Sequence, residues 1–184
     1  EPFCGVSARY ARGVSMSDTT KRDGEQPTVN RRPVSATSVL NEAYHYQLPS
    51  SFSRGMRIDL PCVSMIYISG TASVDENGAT AHVGDFEGQV RRTFRNITEL
   101  LKAEGLTWKH VVRTTCYLKD IQRHYDEFNR LRTEFYKQQG LDPLPASTGI
   151  EARLCRDDLL VEIEAIAMVP GPNHQGCSEY VDKK

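Results

Sequence analysis

Several things are scarce in this chain of 184 residues, and each scarcity excludes a class of protein. No C-x-x-C pair occurs. The five cysteines, Cys4, Cys62, Cys116, Cys155 and Cys177, are odd in number and widely spaced. The histidines, His45, His82, His110, His124 and His174, form no cluster with them, so neither a metal nor another cofactor is expected. The thiols read as reduced, in a cytoplasmic protein, with Cys62 and Cys116 in apolar stretches and hence in the core. No apolar run approaches the ~20 residues of a membrane span, so no membrane partner is expected. Neither sign of charge prevails: 23 Lys+Arg against 24 Asp+Glu leave a net charge of −1. That is no field for nucleic acid or anionic lipid. Internal repeats are absent, and the opening EPFCGVSARYARG has no apolar centre of a secretory leader.

What is present is one unit. Residues 1–41 read as a polar arm or tail, 42–170 as a single domain and 171–184 as a second tail. Within the unit, 65–74 is a strand followed by Asp75-Glu76-Asn77-Gly78, a type I′ hairpin signal that predicts a return strand over 79–83. Asp85 offers an N-cap, Val90, Phe94, Ile97 and Leu101 form a helical stripe, and Gly105 closes it. Residues 110–120 alternate, with Val112, Thr114, Cys116 and Leu118 on one side. Tyr125, Phe128, Leu131 and Phe135 mark a second helix, ended by Gly140 and the 142–145 segment. Residues 148–154 and 159–169 then form a last hairpin, and an extra strand is expected over 54–60. This order predicts an α/β (α+β) fold, a mixed sheet with two helices on one face. The other face would carry Met65, Tyr67, Tyr117, Ile166 and Met168, apolar enough to need cover from another subunit.

The last strand poses a question of its own. In LLVEIEAIAMV, residues 159–169, Glu162 and Glu164 fall on one side while Val161, Ile163, Ala165 and Ala167 line the other. Either that side is wet, or it lines a site that uses a carboxylate.

Taken in order, YISGTASVDENGAT, the GDFEGQVRRTFRNITELLKAEGLTWKHVVRTTCYLKDIQRHYDEFNRLRTEFY stretch, STGIEARL and VEIEAIA resemble the RidA/YjgF/UK114 (Rid, L-PSP) family. The resemblance spans about residues 52–169. It implies a chorismate-mutase-like fold, a homotrimeric barrel with clefts between subunits, and cofactor-free hydrolysis of small-molecule enamines and imines. It assigns Glu162 as the group that positions or activates water, and Ser69, Gly70 and Asn129 as pocket residues. Two positions depart. The family's tyrosine falls on Phe52. Its carboxylate-gripping arginine falls on Ala146 or Ser147, beside Thr148, so neither alignment supplies a guanidinium there. Arg153 lies nearby but is no obvious replacement, since similar sequences carry an arginine there as well as the gripping one; Arg54 or Arg153 would be the alternative grip only if the chain were strongly active on 2-aminoacrylate. A pocket of Phe52, Ala146, Ser147 and Thr148 suits a less charged, larger or aromatic ligand rather than a small enamino acid. Two other readings stand beside the imine or enamine hydrolase: a noncatalytic binding or regulatory trimer, and an RNA-cleaving enzyme, which the near-neutral charge opposes.

Overall fold

Apolar residues at helical spacing make two long helices, and alternating ones make the strands around them. The computed structural model describes residues 29–46, 49–175 and 177. Helix α1 (Phe86–Ala103) begins at Asp85, whose carboxylate accepts from Gly88 N at 2.9 Å, and its expected stripe is fully buried. It ends at Gly105, whose φ of 70° is the left-handed conformation a C-terminal cap uses. Helix α2 (Ile121–Gln138) is capped by Asp120, which accepts from Arg123 N at 3.0 Å. Phe128 and Leu131 are buried, and Phe135 stacks on Phe94 with centroids 4.4 Å apart. Tyr125 does not join them. Two successive steps of three residues drift roughly 120° around a helix, which carries it out to 43% exposure. His124 takes the inward place, stacked on Phe86.

The strands are β1 (Asn30–Val34), β2 (Gly55–Asp59), β3 (Val63–Ala72), β4 (Val111–Leu118), β5 (Ala146–Glu151) and β6 (Val161–Pro170). They form one six-stranded sheet in the order β1-β2-β3-β6-β4-β5. The predicted β5–β6 hairpin does not form. Because α2 carries the chain across the sheet, β5 returns parallel to β4, and residues 152–160 then bring β6 to the far side of β4, between it and β3. The mixed sheet is as expected, and α1 packs on β3 and β6 while α2 packs on β4. The opposite face leaves Tyr67, Met168 and Ile150 exposed. Among the described residues no helix is long and apolar enough to cross a membrane.

Four further expectations are corrected. Residues 79–83 make only the isolated bridge Val74–Thr80. Asp75 turns the chain instead, its carboxylate accepting from Asn77 N and Ala79 N at 2.9 Å each. Gly78 has φ of 83° but Asn77 is not left-handed, so the turn is not type I′. In β4 the register against β6 slips between Val111 and Arg113; Val111 is buried and Val112 is exposed. The arm assigned to 1–41 is not all surface: β1 lies in it, and Val34, Ala36, Val39 and Leu40 enter the core. Residues 1–28, including Cys4, lie outside the described ones. Finally, the thiols are not all reduced, nor is Cys62 in the core. Cys62 is exposed in the β2–β3 turn and forms a disulfide with Cys177. The backbone brings them together, with Gly171 N donating to Cys62 O at 3.0 Å and Asn173 N to Pro61 O at 2.9 Å. Cys116 is free and buried, as expected, and Cys155 is free and exposed.

Candidate active site

The site begins with a bulge. Ile68 pairs with Ala165 and Thr71 with Ile163, so Ser69 and Gly70 occupy the space of one residue on β6. The extra residue sets Gly70 against Glu162. A Cβ built on Gly70 would stand 2.1 Å from Glu162 Oε1, so only glycine leaves that carboxylate its present place. Ser69 fastens the neighbouring loop. Its hydroxyl donates to Ser53 O at 2.8 Å and its amide to Arg54 O at 3.0 Å.

The loop and the bulge enclose a cleft of about 1050 Å³. Glu162, Ser69, Gly70 and Phe52 line it, joined by Tyr46, Arg54 and Arg156. Glu162 is half-buried, and no described residue donates a hydrogen bond to it. Burial pushes its carboxyl pKa above the ordinary value, the negative charge of Glu164 adds to the rise, and Arg54 opposes it. A carboxylate that is partly desolvated, unpaired by donors and open to a cleft is suited to take a proton from water.

Arg54 is buried. Its Nε and Nη2 donate to Asn41 O at 2.8 and 2.6 Å, and Nη2 also donates to the Tyr46 hydroxyl. Its guanidinium carbon lies 5.1 Å from the Tyr46 ring centroid and 5.3 Å from that of Phe52. Arg156 reaches the same tyrosine from the 155–158 turn, 5.1 Å from its centroid. The cleft therefore holds a phenol and two guanidiniums that the family alignment did not assign. Tyr46 brings a hydroxyl to a site where Phe52 has none. Arg153, the other alternative grip, lies outside this cleft, its side chain 88% exposed beside Asp157. Neither Tyr46 nor Arg156 carried a signal of its own, since both sit in irregular segments without period.

The remaining expected residues gather elsewhere on the chain. Arg132 donates from Nη1 to Ser147 Oγ at 2.9 Å and from Nη2 to Asn129 Oδ1. Thr148 accepts from Arg113 Nη2 at 3.0 Å, and Ala146 is Arg113's partner in the β4–β5 ladder. None of these four expected residues lines the Glu162 cleft within one chain. Among the described residues, no group of three His, Cys, Asp or Glu side chains is placed to hold a metal ion.

Residues 49–169 match the family described as Endoribonuclease L-PSP. The chain is 33% identical over 107 residues to the 2-iminobutanoate/2-iminopropanoate deaminase of Homo sapiens, covering 58% of this chain and 74% of that one. It is 29% identical over 106 residues to the 3-aminoacrylate deaminase RutC of Acinetobacter baylyi, covering 58% and 80%. Among solved structures it resembles the YjgF gene product of E. coli, with a TM-score of 0.60, 25% identity, and coverage of 74% of this chain and 97% of that one.

Proposed function

The chain belongs to the Endoribonuclease L-PSP family, the RidA/YjgF group, and from that premise we propose that it is a cofactor-independent hydrolase that deaminates an imine, an enamine or a related reactive intermediate. The observation that carries this reading is the Glu162 carboxylate, half-buried and set against Gly70 in an open cleft. Glu162 takes a proton from water as the water oxygen bonds to the imine carbon, and the C=N π electrons move to nitrogen. Nitrogen takes that proton back from the Glu162 carboxyl to give the carbinolamine, whose hydroxyl proton then passes through the regenerated carboxylate to nitrogen as C=O forms and the C–N bond breaks, releasing ammonia. An imine and water thus give a carbonyl compound and ammonia. With an enamine, the protonated carboxyl first supplies the proton to carbon, and the raised pKa keeps that form accessible.

The width of the cleft and the aromatic Phe52 and Tyr46 in its wall suit a substrate larger than the smallest enamino acids. Ammonia release from 2-imino acids generated in solution tests both points. Release is expected, and faster from those with bulky side chains than from 2-iminopropanoate; no release from any of them would remove the hydrolase reading.

The same proposal includes a homotrimer, in which β5 and α2 of a neighbouring copy bring Asn129, Ala146, Ser147 and Thr148 to the cleft. The two sheet edges support it. β1 carries Arg31, Arg32 and Pro33, residues that discourage further pairing, whereas β5 is exposed throughout and uncharged up to Glu151. Light scattering is expected to give about three times the 20.7 kDa mass of one chain. A stable monomer would sink the shared cleft.

A further inference from the structure

We propose that Gln89 is a positioning residue for the chemistry at Glu162: its buried amide ties together two loops that wall the cleft and sets the point at which β6 enters the sheet. The catalytic consequence rests on the hydrolase reading; the placing of the Glu162 carboxylate does not.

Gln89 lies one turn into α1 and is fully buried. A leucine there would suit the helix as well, since the two residues have similar helix propensity, and would suit the core better. The amide serves groups outside the helix. Its Nε2 donates to His82 O at 3.2 Å and to Asp158 O at 2.8 Å, and its Oε1 accepts from Leu160 N at 2.8 Å. Both kinds of amide atom are thus engaged, each on backbone, as a buried polar group requires.

The three partners come from two loops. His82 ends the 75–82 loop, whose Asn77, Gly78 and Ala79 line part of the cleft. Asp158 and Leu160 belong to the segment before β6, whose Cys155, Arg156 and Leu159 line another part. A second tie runs beside the first. Thr80 Oγ1 donates to Asp158 Oδ1 at 3.0 Å, and Arg156 Nη1 donates to Gly78 O at 2.8 Å and to Thr80 Oγ1 at 3.3 Å. His82 shows that the join is specific. Its φ of 57° lies in the left-handed region, uncommon for a residue with a side chain, and its carbonyl accepts from both Gln89 and Asp85 N.

Leu160 is gripped from two directions, its N–H by Gln89 and its carbonyl by Lys119 N at 3.0 Å. Leu159 and Val161 on either side are buried, and Glu162 follows directly. The chain therefore cannot slide into β6 without pulling Leu160 off the amide. Such a slide has no room at its far end, where a Cβ on Gly70 would already stand 2.1 Å from Glu162 Oε1.

NMR titration of protein carrying 13C at the glutamate Cδ reads the carboxylate's surroundings without turnover, with the Glu162 signal identified by its loss in Glu162→Gln. In the unmodified protein that signal should titrate above the ordinary carboxylate range, because burial and then Glu164 raise it against the opposing charge of Arg54. Gln89→Met keeps the length and bulk but makes none of the three bonds. Its Glu162 midpoint should fall back toward the ordinary value as water reaches the carboxylate, while the other glutamates keep theirs. Its kcat on a 2-imino acid should drop roughly ten- to a hundredfold, the scale of a small misplacement at a reacting group, with KM far less affected. Thr80→Val cuts only the half-buried outer tie, and Arg156 keeps its bond to Gly78 O. It should move midpoint and rate the same way by less, and Thr80→Ser should restore both. A folded Gln89→Met with midpoint and kcat unchanged would overturn the proposal, whatever its melting temperature, and leave Gln89 a brace of the core. Should Gln89→Met not fold, Thr80→Val with the unmodified midpoint and rate would overturn it alone. Absent ammonia release from the unmodified protein would remove the hydrolase reading and leave the titration to decide the placing of Glu162.

Discussion

Glu162→Gln is expected to lower turnover on the order of a hundredfold or more, the scale of a lost general base. Glutamine keeps the shape and the place beside Gly70 but cannot accept the proton. The pH profile identifies the cause. In the unmodified protein the rate should rise as Glu162 ionises, and since burial and Glu164 raise its pKa, that limb lies above the ordinary carboxylate range. The residual rate of the variant should lack the limb. Stability should move the other way. The folded chain binds this proton more tightly than the unfolded chain does, so its contribution is complete below the unfolded carboxylate pKa and is lost as pH rises through the raised folded value. Glutamine never ionises, and the variant should melt at the same temperature or higher at neutral pH. Turnover and pH profile both unchanged would reduce Glu162 to an ordinary strand residue.

Gly70→Ala is expected to do comparable damage without touching a polar group. The new methyl would stand 2.1 Å from Glu162 Oε1 and 2.9 Å from its Cδ, so the carboxylate must swing aside. A misplacement of about 1 Å at a reacting group can cost roughly a hundredfold in rate. The clash is with the end of a flexible side chain, not with backbone, so the melting temperature should change far less than kcat/KM. Activity within twofold of the unmodified protein would mean that the carboxylate's position is immaterial, and would count against its role as the base.

What could be read from the sequence was what repeats or punctuates locally. Val90, Phe94, Ile97 and Leu101 announced α1 by their spacing, and Asp85 and Gly105 marked its ends to within a residue. Glu162 stood out because a carboxylate interrupts an apolar strand, and the family resemblance pointed to Ser69 and Gly70 beside it; the structure brings these three together with Phe52. What could not be read depends on distant partners. The antiparallel partners of β6 were invisible, since any strand of suitable length could have paired with it. The slip at Val112 shows only against β6, and the cross-link to Cys177 shows only once the 171–174 backbone is seen beside the β2–β3 turn. Arg156 was visible as a turn residue; its place over the Tyr46 ring is a fact about its surroundings. Tyr46 likewise gains a role only because Arg54, Gly78 and Arg156 converge on it.

The cross-link also decides how the chain would carry a mechanical load. It joins residues 115 apart, so β3, both helices, β4, β5 and β6 lie inside a covalent ring, while β1 and β2 lie outside. Tension between the two ends of the chain then passes from Cys62 straight to Cys177. It can peel β1 from β2 and β2 from β3, but it cannot draw β6 out from between β3 and β4. With the disulfide reduced, the same pull falls on β6 itself, the strand that carries Glu162. Oxidised, the molecule would yield at its rim and keep the Glu162 strand in register; reduced, it would yield at its centre.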